Sequence, residues 1–257
     1  MKILDLQTGI PQKVNPDDAG GEFEGLPFTW LRDNKLSSEH GFERGVASAD
    51  PDVDGFTNLE EYKWKTDPND PDKHPDWAVK LRVKELRNKP FDFMFVGVQG
   101  VGEGVKYTVR SSKTHKDYYV SMGGKILDQV TSGYIVTNYS EKYQEEKVPG
   151  IKQGGKDWIN KVNVSELTVQ KEGEKPIVLV RGKPGETEEL YAVLIYLLEL
   201  DPKDSNKKRE INTNENPAFS LKDIPYQVIS VKKLDGSVSE VVVERTDTKE
   251  KFTLLNQ

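Results

Sequence analysis

The chain has 257 residues, no cysteine and a formal net charge of −6, with hydrophobic residues at 35% and charged residues at 31%. That length allows two or three small domains with their own cores, and the missing thiols exclude disulfides and cysteine catalysis. Residues 1–76 carry 17 acidic and 8 basic side chains, so the rest of the chain is close to neutral, with no basic stripe for nucleic acid.

Residues 1–76 read as a loop-rich cap with short helices, punctuated by Gly20, Gly21, Gly25, Pro27, Pro51, Pro68, Pro71 and Pro75. Phe28, Trp30 and Leu31 are the apolar anchor expected to dock this cap on the remainder of the chain. The incoming segment from Ser37 to Ala49 contains Gly41 and Gly45, so any helix there is short.

Residues 50–61, DPDVDGFTNLEE, specify chemistry more tightly than any other stretch. Asp50, Asp52 and Asp54 put carboxylates at the first, third and fifth positions of a twelve-residue loop, and Gly55 stands sixth, where the chain must turn sharply. Phe56 offers its backbone carbonyl at the seventh position, Asn58 is ninth, and Glu61 is twelfth, where a bidentate carboxylate closes the shell. This is the order of the EF-hand calcium loop, and Ca2+ is the expected cofactor. A solvated acidic turn has no need of Asn58 and Glu61 at those spacings.

The outgoing segment from Thr57 to Lys65 suits about two helical turns with Leu59 and Tyr62 on one face. Thr66-Asp67-Pro68 then ends the helix. A single loop between short helices suits a metal that staples a small region. On that reading, chelation loosens residues 36–76 and leaves the β part folded. The continuation EEYKWKTDPNDPDKHPDW resembles calcium-binding repeats of the thrombospondin type 3 kind, which implies a contribution to the shell from Asp67, Asp70 and Asp72.

From Trp77 the texture turns to β, with Trp77, Val79, Leu81 and Val83 alternating with polar residues. Strands are expected at 90–98, 105–111, 117–122, 133–140, 161–170 and 175–182, with residues 100–104 (GVGEG) as a hairpin turn. Leu190 to Leu200 is read as a strand on its β-branched and aromatic content, although Glu186 to Leu190 would suit a helix start. No run approaches the roughly 18 apolar residues of a membrane span. Asp201 to Asn216 reads as an exposed polar linker, and strands return at 226–233, 237–246 and 249–255, with Asp235-Gly236 as a hairpin turn.

The β part repeats itself. Gly133-Tyr134-Ile135-Val136 answers Pro225-Tyr226-Gln227-Val228, and Val164-Ser165-Glu166-Leu167-Thr168-Val169 answers Val238-Ser239-Glu240-Val241-Val242-Val243. The expected fold class is therefore mainly β: small antiparallel modules in tandem behind the calcium-binding cap. The expected domains are a cap at 1–76, a first β module at 77–201 and a smaller second one at 202–257. Tyr134/Tyr226, Val136/Val228 and Val169/Val243 should then occupy equivalent positions.

No residue pattern nominates a nucleophile, a general base or a zinc site. His40, His74 and His115 lie far apart, and no serine occupies a G-x-S-x-G elbow. The chain is read as a non-enzyme. Met1 to Gln7 has no signal-peptide character. A weak site of the kind that works at roughly 10⁻⁴ to 10⁻³ M calcium nevertheless points to a periplasmic or exported protein whose leader is absent from this chain.

The segments YYVSMGGKI, GYIVTNYS and VSELTVQKEGEKPIVLV resemble the small β module of pilus and type II secretion inner-membrane components. Together with LPFTWLRDNKL, the calcium segment and KPFDFMF, they also resemble proteins of the verrucomicrobial pilus-like system. The resemblance implies a non-catalytic envelope component that binds a secretin-like or pilus-assembly protein. It implies no nucleic-acid partner, and a membrane contact only through an N-terminal segment missing here. The alternative class is a secreted, calcium-stabilised glycan-binding or adhesion module, for which exposed rings clustered on one sheet face would be the mark.

Overall fold

The computed structural model describes residues 2–4, 11–13, 21–36, 43–127, 133–148, 158–234 and 239–256. Small antiparallel sheets dominate it, and both α-helices of the described residues precede residue 65. β1 (Lys2–Leu4) pairs with β2 (Pro11–Lys13), and β3 (Glu22–Phe23) turns through Glu24 and Gly25 into β4 (Leu26–Pro27). Glu24 and Gly25 have φ of 53° and 82°, the left-handed pair that suits a two-residue hairpin. α1 (Phe28–Asp33) follows directly, and α2 (Asn58–Trp64) comes after a 3-10 turn at Val46–Ser48.

Leu26, Leu31, Val46 and Ala47 form a small core with Trp30, Leu59 and Tyr62. Trp30 and Leu31 of the anchor expected to dock the cap on the sheets thus serve the cap's own interior, where they pack with Leu59 and Tyr62 of α2.

The next strands are β5 (Leu81–Phe91), β6 (Phe93–Gln99), β7 (Lys106–Ser111), β8 (Asp117–Val120), β9 (Ile135–Ser140), β10 (Tyr143–Val148), β11 (Trp158–Asn163), β12 (Glu166–Gln170) and β13 (Ile177–Val180). They are followed by β14 (Gly185–Asp201), β15 (Asp204–Asn212), β16 (Ala218–Leu221), β17 (Ile224–Lys233), β18 (Ser239–Arg245) and β19 (Lys251–Asn256). The strand expected from Trp77 starts later. Asp76 accepts a hydrogen bond from the Ala78 N–H at 2.8 Å and caps a 3-10 turn, Trp77–Lys80, before β5 begins.

Sheets β6-β7-β8 and β13-β12-β9 enclose a first core around Phe93, Phe95, Val109, Val136, Leu167 and Leu179. Sheets β15-β14-β5 and β16-β17-β18-β19 enclose a second around Leu81, Leu194, Tyr196, Tyr226, Val241 and Val243. The second core therefore takes residues from both ends of the β region, and the first is interposed between β5 and β14. The expected boundary at 201/202 falls inside the β14–β15 turn, where Asp201 pairs with Asp204.

The polar stretch read as a linker is largely the edge strand β15. Its backbone completes the β14 ladder while only Ile211 is buried, so apolar alternation gave no sign of it. The Asp235-Gly236 turn lies outside the described residues, although β17 and β18 do pair antiparallel.

The internal repeat is in register. Val136 pairs with Val169 in the first unit, and Val228 pairs with Val243 in the second. The third strands agree, with Val169 opposite Ile177 and Val243 opposite Phe252. Both ladders shift immediately after the valine pair, leaving Thr137 and Ile229 as the extra residues of matching β-bulges. Tyr134 and Tyr226 are both buried. Such agreement puts the paired residues on the same sheet face in each unit. Because Val169 and Val243 sit in separate, fully buried environments, Val169→Ala and Val243→Ala should each cost about 2 kcal/mol in urea unfolding. The double variant should cost their sum within about 0.5 kcal/mol, and a larger deviation would mean that the two cores communicate.

Candidate metal centre

Residues 50–61 are folded by their own carboxylates. Asp50 accepts from the Val53 N–H at 2.8 Å and from the Gly55 N–H at 2.9 Å, one on each oxygen. Asp54 Oδ1 accepts from the Phe56 N–H at 2.7 Å, and Asp52 Oδ1 from the Asp54 N–H at 3.4 Å. Gly55 takes φ of 101°, a conformation that a side chain would strain. α2 then starts with a capping box: Thr57 accepts from the Glu60 N–H while Glu60 accepts from the Thr57 N–H at 2.9 Å.

This folding brings ligand oxygens of Asp50, Asp52 and Asp54 within 4.8 Å of one another, an arrangement that can hold a metal ion. Glu61 stands outside that tight group but close enough for all three charges to act on it. Asn58 and Glu61 have no exposed surface. The Asn58 amide donates to the Val46 carbonyl at 2.7 Å, which fixes its orientation.

Among the described residues, Asp52 Oδ2, Asp54 Oδ2, Asn58 Oδ1 and Glu61 Oε2 are buried without a hydrogen-bond partner. Each such oxygen costs about 1–3 kcal/mol, and these come from the third, fifth, ninth and twelfth positions of the loop. A hard cation satisfies oxygens of this kind together, so the residues present fit a metal.

The electrostatics agree. Burial, followed by the charges of Asp52 and Asp54, pushes the Glu61 carboxyl up to about 7. Asp52 is raised by burial and then by Asp54, and Asp54 is raised chiefly by burial. These are the penalties that a bound cation offsets.

Asp67, Asp70 and Asp72 are not drawn into the group. Asp70 pairs with Lys73 at 2.7 Å, Asp67 accepts from the Asn69 N–H, and Asp70 also accepts from the Asp72 N–H. These contacts build a turn of their own after α2.

The contacts that join the loop to the second core have no signature in the sequence. The fully buried Phe56 ring lies 5.6 Å from His74 and 5.4 Å from Trp77, with Lys80 Nζ 4.8 Å from its centroid. Lys80 in turn pairs with Glu60 of α2. A Cβ on Gly55 would come within 2.7 Å of Leu198 on β14, so the loop backbone rests directly on that strand. Asp76 accepts from the Tyr226 hydroxyl at 2.8 Å and from Arg245 at 3.1 Å, and Trp64 meets Phe252 at 6.0 Å. No local pattern encodes these pairings across up to 169 positions. Comparison with protein-family models, curated proteins and solved structures finds no match.

Proposed function

We propose that this protein is a non-catalytic component of a periplasmic, pilus-like or secretion-like envelope assembly, with calcium bound by Asp50, Asp52, Asp54, Phe56, Asn58 and Glu61. The observation that carries the calcium reading is the set of buried, unpartnered oxygens at four loop positions of the EF-hand order. The envelope role rests on the resemblance of the β segments, and a protein partner is its consequence.

The surface proposed for that partner is the free edge of β19. β18 occupies its other side, and the Arg245 N–H bond to the Glu250 carbonyl sets the ladder phase. In that phase the Lys251, Thr253 and Leu255 backbone groups face away from β18. A groove of about 380 Å³ lined by Trp64, Leu81, Arg82, Phe252 and Leu254 runs beside this edge. An added partner strand would use the backbone groups for affinity and the groove for selectivity. The adhesion alternative is less well supported. Exposed Tyr119 and Trp64 lie on other elements, and exposed Tyr143 and Trp158 share the β10–β11 sheet but fall on its opposite faces, so these rings form no common stacking face.

The test is capture of partners from envelope extract by the full chain, with and without chelator. Thr253→Pro removes one outward donor and leaves the β18–β19 ladder intact. We expect it to lose the captured envelope protein while Thr253→Ala keeps it. Retention on polysaccharide with no envelope protein captured would replace this reading by the adhesion module.

A further inference from the structure

β10 and β11 form a two-stranded sheet of their own. Tyr143, Trp158 and Ile159 are 59%, 62% and 67% exposed on it. An isolated two-stranded ribbon is marginal in water, and a third or fourth strand is the usual remedy. Its two outer edges differ. β10 carries Glu145, Glu146 and Lys147 in succession, the charged edge that resists pairing, whereas Lys161 is the one charged residue of β11.

The phase of the ladder says which groups β11 offers. The Val164 N–H donates to the Lys142 carbonyl, and the register then runs without a shift from Tyr143↔Asn163 to Val148↔Trp158. Alternation makes Gln144/Val162, Glu146/Asn160 and Val148/Trp158 the hydrogen-bonded pairs. The backbone groups of Ile159, Lys161 and Asn163 consequently face away from β10.

We infer that β11 pairs antiparallel with β11 of a second copy of this chain, about a two-fold axis at Asn160. That register puts Ile159 opposite the second copy's Lys161, with both outward-facing backbones bonded. It puts Trp158 opposite Val162 and Asn160 opposite itself in the close, non-hydrogen-bonded positions. Shifting the axis to Lys161 would oppose two lysines directly, which is unfavourable. The product is a four-stranded sheet β10-β11-β11-β10 with Trp158, Val162 and Val148 of both copies on one face. Its outer edges are the charged β10 strands, so addition stops at two copies. The contact is isologous and closed.

Sedimentation of the full chain in calcium, across a concentration series, reads the proposal. The wild type should be a dimer. Lys161→Pro, which deletes an outward N–H and leaves the β10–β11 ladder whole, should weaken association by at least about 30-fold. Lys161→Ala should remain dimeric. The chain has no cysteine, so Asn160→Cys introduces one thiol at the axis, where the Cα separation of about 4.5 Å in such a pair admits a disulfide. It should cross-link at least about tenfold faster than Ser205→Cys, exposed on β15, because pairing raises the local thiol concentration. A monomer throughout the series would overturn the inference. So would a dimer indifferent to Lys161→Pro, equal cross-linking of the two cysteine variants, or a monomer whose β11 engages a strand of a different protein.

Discussion

Calcium titrated into the metal-free protein should bind at one site with a dissociation constant on the order of 10⁻⁴ M, and Glu61→Gln should abolish the response. Glu61 holds the twelfth position of the loop, and its Oε2 is one of the buried oxygens without a partner. At a calcium concentration about 100 times the dissociation constant, native-state binding adds about 2.7 kcal/mol, a rise of roughly 5–10 °C in melting temperature for a chain of this size. The metal-free forms should differ in the opposite direction. Glu61 is buried near Asp50, Asp52 and Asp54, whose charges oppose its own, so neutralising it should raise the melting temperature of the metal-free protein while removing the calcium-dependent gain. Calorimetry and thermal unfolding with and without chelator check both halves. A variant that still binds with wild-type affinity would show that residues 50–61 do not form the site.

Phe56→Ala should produce the largest loss of stability from a single substitution in the loop, about 3–5 kcal/mol. The backbone carbonyl at the seventh position stays in the chain, so the ligand type is unchanged. What disappears is a fully buried ring held among His74, Trp77 and Lys80. Because Trp77 packs on the second core and Gly55 rests on Leu198, the loss should reach beyond the cap. Hydrogen exchange should quicken in β14, β17 and β18, with the amides of β7 and β12 in the first core little changed. The same packing revises the expectation that chelation loosens residues 36–76 alone, since calcium removal should also lower protection in β14. Faster exchange confined to residues 43–76 would show that the loop and the second core are uncoupled.

Much of this protein was legible locally. The spacing of Asp50, Asp52, Asp54, Asn58 and Glu61 is a property of contiguous residues, because a metal loop must fold around its ion within one turn of chain. The repeat was equally readable: Val136 with Val169 and Val228 with Val243 lie in sequences whose alternation and Val-Ser-Glu signature carry the register. Leu190–Leu200 betrayed its strand through β-branched and aromatic content.

Tertiary structure decided the rest. β10 has no buried residue and β15 buries only Ile211, so a neighbour's backbone does most to hold these charged strands in the β conformation and apolar periodicity has little to report. The second core joins Leu81 to Val243 across the interposed first core. The acidic loop at residues 50–61 belongs to it through Phe56 and Leu198, and the bond from Tyr226 to Asp76 ties down the segment that follows. Composition and spacing record which side chains a segment has, whereas these contacts depend on which distant surfaces remain to be covered once each sheet has formed. The acidic loop and the two repeated units are written in contiguous residues, whereas the seat of that loop against the second core, on Trp77 and Leu198, follows only from the folded chain.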